Sequence, residues 1–278
     1  MARQPIRIGS LECLAIERVM RIAIGLEYNG IGFCGWQSQS AACGVQDALT
    51  AAISTVAGEK IQVTAAGRTD TGVHAAFQVA HFDTAATRPL SAWVRGVNSH
   101  LPHGVAVLWA REVGEDFHAR FAAVERGYRY VLLNHPVRPG LDSGRVGWHY
   151  RPLDEAAMSR AAAYLIGEHD FSAFRAAECQ ARSPIKILHR ASVARRGDFL
   201  FCDFRANAFL HHMIRNIMGG LVQVGLGKHP PEWMGTILRG CNRTLAAPTF
   251  DAAGLYLCYI RYPTHFGLPE SSERWLYA

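Results

Sequence analysis

One order of hydrophobic periodicities occurs twice along the chain, and it constrains the fold more than any other feature. Apolar residues alternate from Met20 to Tyr28, a strand pattern that ends in the turn signal Asn29-Gly30. Val45, Ala48, Leu49, Ala52, Ile53 and Val56 then recur at helical spacing up to Gly58. Strand patterns follow over Ile61 to Ala65 and Phe77 to Thr84, then a helix from Pro89 to His100 and a strand from Val105 to Val113. The second half repeats the order: a strand from Tyr128 to Asn134, a helix from Leu153 to Ile166, and a hairpin of Ile187 to Arg196 with Phe199 to Ala206. A long helix from Leu210 to Leu226, a shorter one from Pro231 to Arg239 and a strand from Leu255 to Tyr262 complete it. The expectation is an α/β (α+β) protein of two β-α-β-β-α-β, ferredoxin-like or RRM-like halves, residues 20–115 and 116–278, whose sheets abut into one larger mixed sheet with a central cleft. Residues 1–19 show no period and are expected to be an appendage, with Met20 the translational start.

Two places set charge in apolar sequence. From Ile61 through Phe82, Arg68 and Asp70 are the only Lys, Arg, Asp or Glu residues, on the turn Gly67-Arg68-Thr69-Asp70-Thr71-Gly72. Such charges cost desolvation energy unless something engages them. A self-capping turn accounts for this stretch as well as a reactive carboxylate does. From Ala206 through Gly227, Arg215 is the only fully charged residue, on a helix that otherwise reads as core. Arg215 alone is explained by a side chain that snorkels to solvent. Taken with Asp70, one arrangement explains both: the two meet in the cleft, and the guanidinium favours the ionised, nucleophilic carboxylate. His211 and His212, read as adjacent on that helix, diverge too far to share a metal ion, so no metal site is expected.

Aromatic residues and arginines interleave in Phe117-His118-Ala119-Arg120-Phe121 and again in Arg126-Gly127-Tyr128-Arg129-Tyr130. Aromatic faces stack on unpaired bases and arginines grip phosphates; an ordinary amphipathic strand is the alternative. Phe117, His118, Arg120, Phe121, Arg129 and, in the loop after Asp170, Arg175 are the candidate RNA contacts. The charge balance agrees without deciding: 29 Lys and Arg against 23 Asp and Glu give +6. The seven cysteines form no C-x-x-C pair, which predicts reduced thiols, neither a disulfide framework nor a zinc site, and a cytoplasmic protein. No window is apolar enough for a membrane helix.

These segments together resemble the TruA family of tRNA pseudouridine synthases. The likeness runs from Met20 to Tyr262. Its motifs are Tyr28-Asn29-Gly30 with Gly35-Trp36-Gln37, Gly67 to His74, Phe117 to Phe121, Arg126 to Tyr130, Asn207 to Asn216, and Gly254-Leu255-Tyr256-Leu257. The resemblance implies a homodimeric isomerase, without cofactor, that detaches uracil from ribose and rejoins it through carbon at positions 38 to 40 of the tRNA anticodon arm. It implies Asp70 as the catalytic aspartate, Arg215 as its ion-pair partner, Tyr128 against the target base, Arg68 in extruding the nucleotide and Leu257 lining the pocket. Thr71, Asn29 and Ser38 depart from the commoner alanine, aspartate and basic residue of the family; none removes a reacting group. The rival is a non-catalytic RNA-binding protein of two RRM-like halves, which leaves Asp70 beside RNA unexplained.

Overall fold

The computed structural model describes residues 19–270. Residues 1–18, nearly all of the expected appendage, lie outside the described residues. The first half contains β1 (Met20–Tyr28), α1 (Val45–Ala57), β2 (Thr64–Ala65), β3 (His74–Thr84), α2 (Val97–His100, entered through a π-helical turn at Ala92–Gly96) and β4 (Val105–Val113). The second contains β5 (Glu125–Asn134), β6 (Gly147–His149), α3 (Glu155–Ala163), β7 (Gly167–Asp170), β8 (Ile185–Arg196), β9 (Phe199–Ala206), α4 (Met213–Gly225), α5 (Trp233–Gly240) and β10 (Leu255–Arg261). Strands β6 and β7 were not expected from the periodicity: they are short, and β7 (Gly-Glu-His-Asp) carries no apolar alternation.

One mixed sheet joins all ten strands in the order β4-β1-β3-β10-β5-β9-β8-β7, with β2 on β3 and β6 on β5. Each half therefore uses the same strand order, β4-β1-β3-β2 and β10-β5-β9-β8. Two large apolar cores pack against it, and Val131, Val146, Phe201 and Tyr256 form a small third cluster. Tyr130 and Leu132 of β5 and Cys202 and Phe204 of β9 pack on Met158, Ala161, Ile217 and Leu221 of α3 and α4. Ile22, Ile24 and Leu26 of β1 pack with Leu49 and Ile53 of α1 and Phe82 of β3. Local chemistry fixes the helix ends. Asp47 reaches back to the Gly44 N–H at 2.9 Å and Gly58 closes α1 at φ 76°, while the Asp154 carboxylate caps α3 by accepting from the Ala157 N–H.

The seam between the halves holds the charged turn. β3 uses one edge for two partners: Thr64 and Ala65 of β2 pair with His81 and Ala80, and Tyr256 and Leu257 of β10 run parallel to His74 and Ala75. Residues 66–73, the charged turn, fill the gap between them. β2 is shorter than the strand expected from Ile61, although Ile61 and Val63 are buried. Side chains take their backbone groups instead: Ser54 Oγ accepts from the Ile61 N–H at 3.1 Å, and Gln46 donates to the Val63 carbonyl at 2.9 Å.

The cysteine expectation needs one correction. Cys34 and Cys43 are disulfide-bonded in the β1–α1 loop, where the Cys34 N–H also donates to the Cys43 carbonyl at 2.9 Å. Their spacing matches no recognisable motif, so only the loop's return path reveals the pair. Cys179, Cys202, Cys241 and Cys258 are free. Among the described residues no helix is long and apolar enough to cross a membrane.

His81, on β3, gives the fold a pH dependence. It is 6% exposed, and its Nδ1 accepts from the Ala119 N–H at 3.2 Å, which requires an unprotonated nitrogen. Burial, with His118 and Arg21 adding, pushes its pKa from 6.5 down to about 4. Between those values the unfolded chain binds the extra proton, so His81's contribution is complete above about pH 6.5 and is lost as pH falls toward 4. Denaturant unfolding across that range will show stability falling with pH, and His81→Gln will flatten part of the slope.

Candidate active site

The turn that carries Asp70 is clamped from several sides. The Ala66 N–H donates to the Val79 carbonyl at 2.8 Å, Gln78 Nε2 to the Gly67 carbonyl at 2.7 Å and the Trp36 N–H to the Thr69 carbonyl at 2.9 Å. The Tyr28 hydroxyl meets Thr69 Oγ1 at 2.8 Å. Gly35 passes so close that a Cβ there would stand 2.6 Å from the Thr69 carbonyl oxygen, at φ 89°. Gly35→Ala will therefore cost about 1–3 kcal/mol from backbone strain and lower turnover by shifting the turn; a melting curve and a rate measurement on the same sample check both.

Asp70 meets three side chains from the other half. Arg215 NH1 donates to its Oδ2 at 3.1 Å, His211 Nε2 lies 3.1 Å from Oδ1, and His212 Nε2 lies 3.3 Å from Oδ2. Asp70 and Arg215 side chains are 19% and 18% exposed, enough desolvation to strengthen the pair and enough access for a ligand. Arg215 is held in turn by its Nε donating to the Phe250 carbonyl at 3.0 Å, while the Phe250 N–H returns to the Arg215 carbonyl.

The histidines correct the sequence expectation. The helix starts at Met213, not Leu210, because His212 takes a left-handed conformation at φ 60°. His211 and His212 thus sit on the turn before the helix, with ring centroids 4.1 Å apart, and both face Asp70. Burial holds the His212 imidazole below its ordinary range against the upward pull of Asp70, with His211 and Arg215 adding to the depression. Only the missing Ser, Thr, Asp or Asn cap at the predicted helix start hinted at this.

Tyr128 and Leu257 form the adjoining wall. They are register partners across β5 and β10, and Leu257 is also beside Ala75. Leu257 is fully buried. The Tyr128 hydroxyl points to within 3.8 Å of where a Cβ on Gly67 would stand, and its ring meets the edge of Phe209 at 5.1 Å. Burial first, then Tyr28 and Asp70, push the Tyr128 phenol well above its ordinary range, so it is a neutral O–H. Arg68 is exposed on the same turn, with no hydrogen bond or ion pair among the described residues.

The other predicted contacts divide. Phe121 is 76% exposed, stacked on His118 at 4.3 Å and under Arg120 at 5.6 Å, a wet aromatic surface. Phe117 is wholly buried against Tyr262 and Phe266, so it cannot stack on a base. Arg129 is engaged by Asp203 at 2.6 Å and lies over the Phe201 ring, on the face of β5 opposite to Tyr128. Arg175 braces its own loop through the Cys179 and Ala181 carbonyls. Arg126, in the same interleaved stretch as Arg129, is a brace too. Its guanidinium donates to the Ala66 carbonyl at 3.1 Å, Ala123 at 2.8 Å and Asn207 at 3.1 Å, tying the Asp70 turn to the segment before His211. His74, missed from sequence, accepts from the Gly30 N–H at 3.0 Å on Nδ1 and places Nε2 3.0 Å from the Gly144 and Ala253 carbonyls, fastening β3 beside the site.

The chain that sets this carboxylate, guanidinium and neutral phenol at the seam between two halves of one sheet is matched over residues 26–122 and 161–263 by a family model described as tRNA pseudouridine synthase. The chain belongs to this family. Among tRNA pseudouridine synthases it is 74% identical over 260 residues to tRNA pseudouridine synthase A of Thiobacillus denitrificans, covering 94% of this chain and 100% of that protein. It is 58% identical over 257 residues to the protein of that name from Dechloromonas aromatica, covering 92% and 98%. The corresponding Methylobacillus flagellatus protein is 55% identical over 255 residues, again covering 92% and 98%. Both matched segments of the family model contribute to the pairing described above: Asp70 lies in the first and Arg215 in the second.

Proposed function

We propose that this chain is an isomerase that converts uridine to pseudouridine in tRNA, at positions 38, 39 and 40 of the anticodon arm, with Asp70 as the reacting carboxylate. The observation that carries this reading is the contact of Asp70 with Arg215 at 3.1 Å, made across the seam and beside Tyr128. A carboxylate held by a guanidinium and 19% exposed serves either route: attack on the sugar carbon, or removal of the neighbouring sugar proton to give a glycal. A base inside a stem must first leave the stack, at a cost of a few kcal/mol. The exposed guanidinium of Arg68, two residues from Asp70, is suited to fill the vacated space.

Tyr128, neutral and walled by Leu257, offers a face on which the detached uracil can rest while it turns. Arg120, His118 and Phe121 form a cationic and aromatic surface reached from the same turn through Arg126, suited to a phosphate backbone and an unpaired base. The reaction is redox-neutral and exchanges a C–N for a C–C glycosidic bond, so the residues here need no organic cofactor. A cytoplasmic homodimer, in which one tRNA touches both subunits, belongs to the same reading.

The test incubates the full chain with unmodified tRNA and maps pseudouridine by position. Product confined to 38 to 40 supports the proposal. Tight binding with no product favours the non-catalytic RNA-binding alternative.

A further inference from the structure

Asp70, His211 and His212 present ligand atoms that all lie within 4.8 Å of one another. His211 Nε2 lies 3.1 Å from Asp70 Oδ1 and His212 Nε2 lies 3.3 Å from Asp70 Oδ2, so the two imidazoles approach the two oxygens of one carboxylate. Zinc binds imidazole nitrogen and carboxylate oxygen at about 2.0–2.1 Å, which sets tetrahedral ligands about 3.3 Å apart. Each contact taken singly has the length that two ligands of one ion require. Two imidazoles and a carboxylate are also a known donor set of zinc sites that keep a position open to water.

Adjacent histidines within a helix would point roughly 100° apart. The left-handed backbone at His212 removes that obstacle and lets both rings converge on one carboxylate. Side chains of His211 and His212 are 41% and 28% exposed, so an ion has a path in. Arg215 opposes a cation and shares Oδ2 with His212, while Oδ1 faces His211. A zinc ion on Oδ1 leaves the guanidinium on the other oxygen and takes His212 from Oδ2 to the ion, a shift within the 4.8 Å that spans the three ligand atoms.

We propose that Asp70, His211 and His212 form a capture site for a zinc ion, and that the zinc-loaded enzyme is inactive. The inactivity rests on the reading of Asp70 as the reacting carboxylate; the binding does not. With Asp70 donating to the ion, the carboxylate can neither attack the sugar carbon nor take its proton. A chelator then raises the activity of a zinc-loaded sample, the reverse of what a metal-requiring enzyme shows.

The test strips the full chain with EDTA and returns it to chelator-free buffer. Zinc is counted by calorimetry, cobalt(II) reports geometry by its visible absorption, and pseudouridine is measured in tRNA held at one concentration throughout. The expected result is one zinc per chain and low-coordinate cobalt bands without a thiolate charge-transfer band. Product formation falls as the site fills and recovers on adding chelator. His211→Gln, checked for an unchanged circular dichroism spectrum, raises the half-saturating zinc concentration at least about tenfold, and Cys241→Ser, which removes the exposed thiol, leaves it unchanged.

The proposal is overturned if zinc does not bind, if it binds equally to His211→Gln, or if product formation continues at full occupancy. A stripped enzyme that makes no pseudouridine instead overturns the functional reading and the inactivation with it, while the cobalt spectrum still decides the binding.

Discussion

Asp70→Asn will lower pseudouridine formation by at least about 10⁴-fold, the scale on which losing a nucleophile or general base acts, while tRNA affinity stays within a few-fold of the parent. Asparagine keeps the shape of the side chain and one oxygen that can accept from Arg215, so the seam retains its geometry. It removes the negative charge that both chemical routes need. No cation that could grip a phosphate is lost, which is why binding survives. Single-turnover assays with enzyme in excess separate the chemical step from capture, and a filter-binding titration reads affinity on the same preparation. An active Asp70→Asn protein would remove Asp70 from the chemistry; a variant that fails to bind tRNA would mean that the carboxylate orders the RNA surface instead.

The pairing behind this prediction was legible in the sequence because charge is rare there. Asp70 and Arg215 stand out as isolated charges in apolar segments of opposite halves, and desolvation gives such charges a reason to meet. The doubled strand order was legible too, because alternation and helical spacing are local properties of β1, α1, β9 and α4. What stayed hidden depends on contacts far apart in the chain. The left-handed turn at His212 moves the helix start by three residues and swings two imidazoles onto Asp70, and nothing in Leu210-His211-His212 announces it. Phe117 and Phe121 are equivalent as letters, yet one packs in the core and the other lies open, because the chain turns between them. Arg129 is expected as an RNA contact by density alone, and Arg126 stands in the same stretch. In the fold Arg126 is taken up by backbone carbonyls and Arg129 by Asp203, while Arg68 and Arg120 are exposed.

Arg215 makes two separable contributions, and substitutions can divide them. Its NH1 reaches Asp70 and its Nε reaches the Phe250 carbonyl, so one planar fork orients the carboxylate and fastens the segment ahead of β10 to α4. Arg215→Met keeps the apolar stem and removes both. Turnover is expected to fall about 10²–10³-fold, comparable to deleting one preorganised donor from an active site. Stability is expected to drop by about 1–3 kcal/mol, because the Phe250 carbonyl and the Asp70 carboxylate each lose a charged donor. Arg215→Lys restores charge without the fork, so it can serve one acceptor but not both; it will recover part of the turnover or part of the stability, not the whole of each. The decisive comparison is the double substitution. If the guanidinium acts through Asp70, Arg215→Met will add almost nothing to the turnover loss already caused by Asp70→Asn, while its stability cost remains. Multiplicative losses in turnover would show instead that Arg215 acts on the RNA directly, with Asp70 only its neighbour.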